Sequence, residues 1–185
     1  MRFTRIFAAA AVLLGASLTT YASAQVESTP IPAPNKPSFA PVEFLLGTWT
    51  CKTKSARRPA AYVTTSTYTL DPTGYWINET STTAKTSWVS KPLTISDRIT
   101  YDSDSKRWVD VSWGDGGAYG LSFSKGWNGD KIVWHDVAFA PGPDISGQTD
   151  TTTTKVSPTK LTSSSSFTEA NTERHVNVAT VCTKN

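Results

Sequence analysis

From Leu45 onward, apolar and polar residues alternate one by one in short runs broken by turn residues, and no stretch repeats at the 3.6-residue spacing of an amphipathic helix. The runs are LLGTWTCKT, AYVTTSTYTL, YWINETSTT, LTISDRITYD, RWVDVSWG, AYGLSFSKG, KIVWHDVAF, QTDTTTTKV, KLTSSSSFTE and RHVNVATVCTK. They are rich in Thr, Val and aromatic residues, which suit a pleated, half-buried surface, and they predict about ten strands. In DPTG, Asp71 to Gly74, Pro72 suits the second turn position and Gly74 a left-handed one. SDSK, WNGD and SPT join three further pairs as hairpins, and one helical turn is expected around Pro41 to Leu45.

Many short antiparallel strands of even spacing imply an all-β domain, either a sandwich or an up-and-down β-barrel. The chain has two cysteines, Cys51 on the first predicted strand and Cys182 on the last. A disulfide requires their Cα atoms to lie within about 7 Å. First and last strands are neighbours in a meander that closes on itself, so a bridge there seals a barrel seam, although a sandwich can also bring them together. Closing so long a loop contributes on the order of 4 to 5 kcal/mol in the chain-entropy model. A metal site is the other use of paired cysteines, but there is no C-x-x-C and the chain has two histidines, short of the usual four-ligand zinc pattern.

The N-terminus follows a different pattern. Arg2 and Arg5 precede an uncharged apolar run from Ile6 to Leu18, and small residues end in Ala22-Ser23-Ala24. This is the layout of a secretory signal peptide over residues 1–24, and the apolar run is shorter than the ~20 residues a membrane span needs. The mature protein is expected to be periplasmic or secreted, with no membrane insertion after cleavage. Residues 25–41 hold five prolines and read as an extended linker, so the domain is expected over residues 42–185.

Cleavage removes two arginines and no acids, leaving 16 basic against 15 acidic residues. A net charge near +1 gives no reason to expect nucleic acid or an anionic membrane as partner. Seven Trp, six Tyr and seven Phe are many for this length, and such residues fill cores and line apolar pockets.

Gly47-Thr48-Trp49, opening the first strand of an exported all-β domain, resembles the start of the lipocalins and their calycin relatives. FLLGTWTC, YTLDPTGYWI, YDSDSKRWVDV and GGAYGLSFSKGWNGDKIVW are similar to a bacterial lipocalin-like group, the DUF1579 and nitrobindin-like barrels. The resemblance covers most of Phe44 to Trp134. It implies a barrel in which Gly47 and Trp49 are structural, the tryptophan packing across one end. Haem binding in the nitrobindin type is associated with G-x-W-x-G-x-G, and here Cys51 and Thr53 replace the later glycines, so no cofactor is expected and haem is a remote alternative. Fatty-acid-binding relatives hold a carboxylate with Arg-x-Tyr, and Arg174-His175-Val176 lacks the tyrosine.

The expected ligand is a small, mostly hydrophobic molecule inside the barrel, with Trp76, Arg98, Trp108, Trp113, Trp134, His135 and Arg174 as candidate contacts. His135 stands mid-strand between Trp134 and Asp136, and His135 with Asp136 forms the candidate pair for an alternative enzyme reading, an isomerase or hydrolase. Each has a structural alternative: a wall histidine, or surface charges at Arg98 and Arg174. If Cys51 meets Cys182 from inside, Val176, Val178 and Arg174 lean inward and His175 points out. Glu79, Asp110, Asp115 and Asp136 offer carboxyls for an acid pair whose separation the sequence does not supply. No G-x-S-x-G, H-E-x-x-H or phosphate-binding glycine loop occurs. The Gly-rich WGDGGAYG reads as a mouth loop, and Asn78-Glu79-Thr80 matches a glycosylation acceptor inside a strand. Thr151 to Thr154 and Ser163 to Ser166 are expected on the outer wall. A third reading is a non-catalytic envelope module with a filled interior.

Overall fold

Alternating residues can satisfy both their backbone and their apolar face only by pairing laterally, and every strand here does so. The structure is a computed structural model and describes residues 33–87, 89–140, 145–169 and 172–185. The expected signal peptide and residues 25–32 of the expected linker lie outside the described residues. The compact unit runs from Asn35 to Asn185.

Among the described residues, eleven strands follow one 3-10 turn, Glu43–Leu45. They are β1 (Gly47–Ser55), β2 (Tyr62–Leu70), β3 (Ile77–Thr83), β4 (Leu93–Asp102), β5 (Arg107–Gly114), β6 (Tyr119–Ser124), β7 (Trp127–Asn128), β8 (Lys131–Ala140), β9 (Ile145–Ser157), β10 (Lys160–Glu169) and β11 (His175–Lys184). Neighbours in sequence pair as an antiparallel meander, β11 returns to β1, and β6 pairs with β8 across the two-residue β7. The result is a closed up-and-down barrel of ten strands, with β7 a short ribbon on β8. Closure removes the unpaired edges that an open sheet of this length would expose.

The hairpins at DPTG, SDSK and SPT form as read, whereas Trp127 and Asn128 of WNGD, expected in the turn, make the short strand β7. Gly74 takes φ +75°, and its N–H donates to the Asp71 carbonyl at 2.8 Å, closing the β2–β3 turn. Gly47 enters β1 at φ +111°, a conformation that favours glycine, and a Cβ there would push the Lys184 Cε, 3.1 Å away, aside by a few tenths of an ångström. Cys51 and Cys182 face each other in register and are bonded, which ties the first strand to the last.

One end of the barrel is sealed. Trp49 is wholly buried, and its indole N–H donates to the Leu45 carbonyl at 2.6 Å, fixing the 3-10 turn across the opening. Val42, Ile77, Ile99 and Trp108 form the apolar floor, with Phe39, Leu46, Tyr101 and Trp134 packed against it. Phe39 packs against Trp108, ring centroids 6.1 Å apart and tilted by 47°, so the end of the expected linker belongs to the core. The other end, where β1, β3, β5, β8 and β10 finish, forms the mouth.

Candidate functional site

Register propagates the inward face around the barrel from the disulfide. Inside β1 are Trp49, Cys51, Thr53 and Ser55. Their partners place Tyr62, Thr64, Ser66 and Tyr68 of β2 inside, and these in turn place Ile77, Glu79, Ser81 and Thr83 of β3. Ile95, Asp97 and Ile99 of β4 follow, then Trp108, Asp110 and Ser112 of β5, and Ser122 of β6. A register shift between β6 and β8 keeps Asp136 opposite Ser122, and Ser122 Oγ donates to Asp136 Oδ1 at 2.5 Å. Above the apolar floor the interior is therefore lined with hydroxyls and carboxylates.

A cavity of about 320 Å³ lies in this polar section. Its lining includes Thr53, Tyr62, Ser66, Glu79, Asp97 and Thr180, together with the disulfide pair Cys51 and Cys182. The hydroxyls are tied to one another: Thr53 to Thr180 at 2.9 Å, Thr64 to Thr83 at 2.8 Å, and Ser66 to Ser81 at 2.6 Å. Ser81 Oγ donates to Glu79 Oε1 at 2.6 Å, and the Tyr68 hydroxyl also bonds Glu79. Burial, followed by the Glu79 charge, raises the Tyr68 hydroxyl well above its ordinary range.

Three more acids stand beside Glu79. Asp97 is its direct cross-strand partner, an arrangement of like groups that is unfavourable when both are ionised. Burial first, then the charges of Glu79 and Asp110, push the Asp97 carboxyl up to about 9. Burial, then Glu79 and Asp136, push Asp110 up to about 7. Asp136 is also raised, chiefly by burial, against its Ser122 hydrogen bond. Asp110 Oδ1 is fully buried with no hydrogen-bond partner. Among the described residues no salt bridge reaches these four acids.

The mouth is held differently. The Glu169 carboxylate is buried and receives Arg57 Nε at 2.8 Å, Arg174 Nη2 at 3.0 Å and the Thr172 hydroxyl at 2.6 Å. The Thr172 hydrogen bond, then that of Arg174, holds its carboxyl below the usual range. Arg174 thus leans toward the opening as expected, but its guanidinium is engaged with Glu169.

The expected contact residues scatter. Trp108 and Trp134 face inward and join the apolar floor, Trp76 sits at the β2–β3 turn of the closed end, and none of them lines the cavity. Arg98 and Trp113 lie on the outer wall, with the guanidinium 6.0 Å from the indole, because the inward positions of β4 and β5 are Asp97, Ile99, Asp110 and Ser112. His135 is also on the outer wall, its Nδ1 2.8 Å from Asp150 Oδ1. Strand alternation therefore puts His135 and Asp136 on opposite faces, and the expected pair does not form. His175 is exposed, as expected, so neither imidazole reaches the interior. The Thr and Ser tracts are corrected as well: Thr151, Thr153, Ser163 and Ser165 face inward and Thr152, Thr154, Ser164 and Ser166 outward, since a strand cannot present a continuous run to one side.

Asp97, Tyr62, Tyr68, Ser66 and Ser81 are the site residues that the sequence reading passed over. Their signal was present. In ISDRITY, Ile95, Asp97, Ile99 and Tyr101 share one parity, so Asp97, not Arg98, is the residue that interrupts the apolar face.

No family model matches the sequence, and no curated protein matches it.

Proposed function

We propose that this protein is an exported, lipocalin-like binding protein that holds one small, hydrogen-bonding molecule in the polar section of its barrel. The carrying observation is the cavity of about 320 Å³ bounded by Glu79, Asp97 and a ladder of Ser, Thr and Tyr hydroxyls above a sealed apolar floor. That volume is at the lower end of small-molecule sites. The lining shifts the ligand class away from the mostly hydrophobic molecule expected from aromatic content, because Trp108 and Trp134 join the floor, Trp76 a turn and Trp113 the outer wall. A disulfide between terminal strands fits an oxidising compartment, periplasmic or extracellular, and agrees with the signal-peptide reading. Kinship to the DUF1579 and nitrobindin-like barrels remains part of this proposal, resting on the Gly47-Thr48-Trp49 opening and the ten-stranded meander.

An enzyme on the same barrel is the second reading, and one observation favours it. Asp97 is a carboxylic acid that keeps its proton at neutral pH beside the Glu79 acceptor, an arrangement suited to general acid–base catalysis. It moves the enzyme alternative from His135 to Asp97 and Glu79.

Native mass spectrometry of the mature protein purified from its own compartment, with an absorption spectrum of the same sample, tests the binding reading. A stoichiometric polar small molecule, lost in a Ser66→Leu variant that fills the cavity, is the expected result. An empty barrel that ignores polar and apolar probes alike refutes it. Chemical conversion of the bound molecule, abolished in Asp97→Asn, would transfer the site to the enzyme reading.

A further inference from the structure

The cavity touches three successive cross-strand rungs on β2, β3 and β4. Tyr68, Glu79 and Asp97 stand side by side in the first, Ser66, Ser81 and Ile95 in the second, and Thr64 and Thr83 in the third. Neighbouring rungs are about 7 Å apart, twice the rise per residue of a strand. Thr53 on β1 and Thr180 on β11 complete the polar lining beside the Cys51–Cys182 pair.

A hydroxyl has one proton to donate and two lone pairs that accept. Ser81 gives its proton to Glu79 Oε1 at 2.6 Å, so in the 2.6 Å contact between Ser66 and Ser81 it is Ser66 that donates. The Tyr68 hydroxyl is bonded to Glu79 as well, and these three side chains therefore meet the cavity with lone pairs. The threonines differ. Thr64 with Thr83, and Thr53 with Thr180, each share one hydrogen bond, which leaves one O–H of each pair to donate. Asp97, kept protonated by burial and the Glu79 charge, adds a carboxyl that both donates and accepts. Among the described residues that line the cavity none is cationic, so an anion finds no counter-charge there. A polar cavity of this kind holds water when empty, and a molecule that displaces the water has to replace its hydrogen bonds. Aliphatic hydroxyls, which donate and accept, match both kinds of position.

Size and shape narrow the class further. A volume of about 320 Å³ is the share of about ten waters, and a molecule that reaches two rungs needs hydroxyls at both of its ends. Toward the mouth the lining turns apolar. Ile95 points inward yet is 43% exposed, and the Tyr62 ring stands where β2 begins, so both offer surface to a C–H face. We propose that the cavity takes a neutral cyclic polyol of monosaccharide size, its hydroxyls met by the Ser66–Ser81–Glu79 relay and the threonine pairs, its C–H face by Tyr62 and Ile95. This rests on the reading of the interior as a ligand site and names the chemistry of its occupant.

Isothermal titration of the disulfide-intact protein with D-glucose, D-galactose and myo-inositol, against cyclohexanol, cyclohexylamine and cyclohexanecarboxylate, tests this. At least one polyol is expected to bind one to one, about tenfold or more tightly than every ring with a single polar group. Ser81→Ala and Thr180→Val should each lose about tenfold while circular dichroism stays unchanged, and either suffices should the other misfold. Asp97→Asn keeps a donor and an acceptor and should bind within about threefold, whereas Asp97→Leu should lose about tenfold or more. A neutral hydroxylated molecule in the native mass spectrum of the exported protein supports the proposal even where the three polyols are silent. A cyclohexyl compound binding as tightly as the polyols, a tenfold loss in folded Asp97→Asn, or full affinity in the folded Ser81 and Thr180 variants overturns the polyol. So does a charged or hydroxyl-free molecule in the native mass spectrum, and in each of these cases the small-molecule reading stands. Silence from every probe, with an empty barrel by native mass spectrometry, overturns both.

Discussion

Replacing Asp97 by Asn is expected to stabilise the empty protein, and to do so only at neutral and alkaline pH. Asp97 lies inside the barrel opposite Glu79, and burial with the neighbouring charges raises its carboxyl from 3.8 to about 9. A folded-state pKa above the unfolded one means that the native state retains a proton the unfolded chain releases. Stability therefore falls as pH rises from about 4 toward 9, and is recovered on acidification. At about 1.4 kcal/mol per pKa unit, the penalty at pH 7 approaches ~4 kcal/mol, an upper value because part of the shift comes from the neighbouring acids and not from burial of Asp97 itself. Asn has nearly the same shape and no charge to bury, so the penalty disappears. Urea unfolding followed by tryptophan fluorescence, with the disulfide intact, should show a gain on the order of 2 to 4 kcal/mol at pH 8 and less than about 1 kcal/mol at pH 4. A gain of equal size at both pH values, or a loss at pH 8, would falsify the assignment of Asp97 as a buried protonated acid. Destabilising groups of this kind persist where function needs them, which is why the same residue appears in both proposals.

Removing the disulfide in a Cys51→Ser, Cys182→Ser double variant should lower stability by up to about 5 kcal/mol, from the separation of 131 residues it closes, as read from urea midpoints of the oxidised parent and the variant. Trp49→Ala should cost roughly 3 to 5 kcal/mol through the emptied plug and the lost bond to Leu45, and increased dye binding at the closed end would report the opening. Gly47→Ala should lose on the order of 1 to 2 kcal/mol in thermal unfolding, since φ +111° and Lys184 both resist a side chain. His135→Ala and Trp113→Ala should each leave interior binding within about twofold, because both residues lie on the outer wall; a tenfold loss in either titration contradicts their placement.

Alternation and turn chemistry determined the strands, because period two and residues such as Pro72 and Gly74 act within a few positions. The two cysteines, placed on the terminal runs, pointed to β1 beside β11, which a sandwich also allows; the pairing of β6 with β8 and β11 with β1 decided closure. Trp49 as an end plug was implied by the resemblance of Gly47-Thr48-Trp49 to the lipocalin opening, and the structure places it there. What only the tertiary structure decided is which face of each middle strand looks inward. Inward parity has to be carried strand by strand through exact register, and one bulge, such as that between β6 and β8, resets it. Without that chain of partners, Asp97 and Arg98 are two adjacent charged residues, and Asp136 is merely the neighbour of a histidine. With it, Asp97 joins Glu79 and Asp110 inside while Arg98 and His135 pass to the outer wall. Burial and mutual repulsion belong to residues far apart in sequence, so the acidic interior exists only once the barrel is closed.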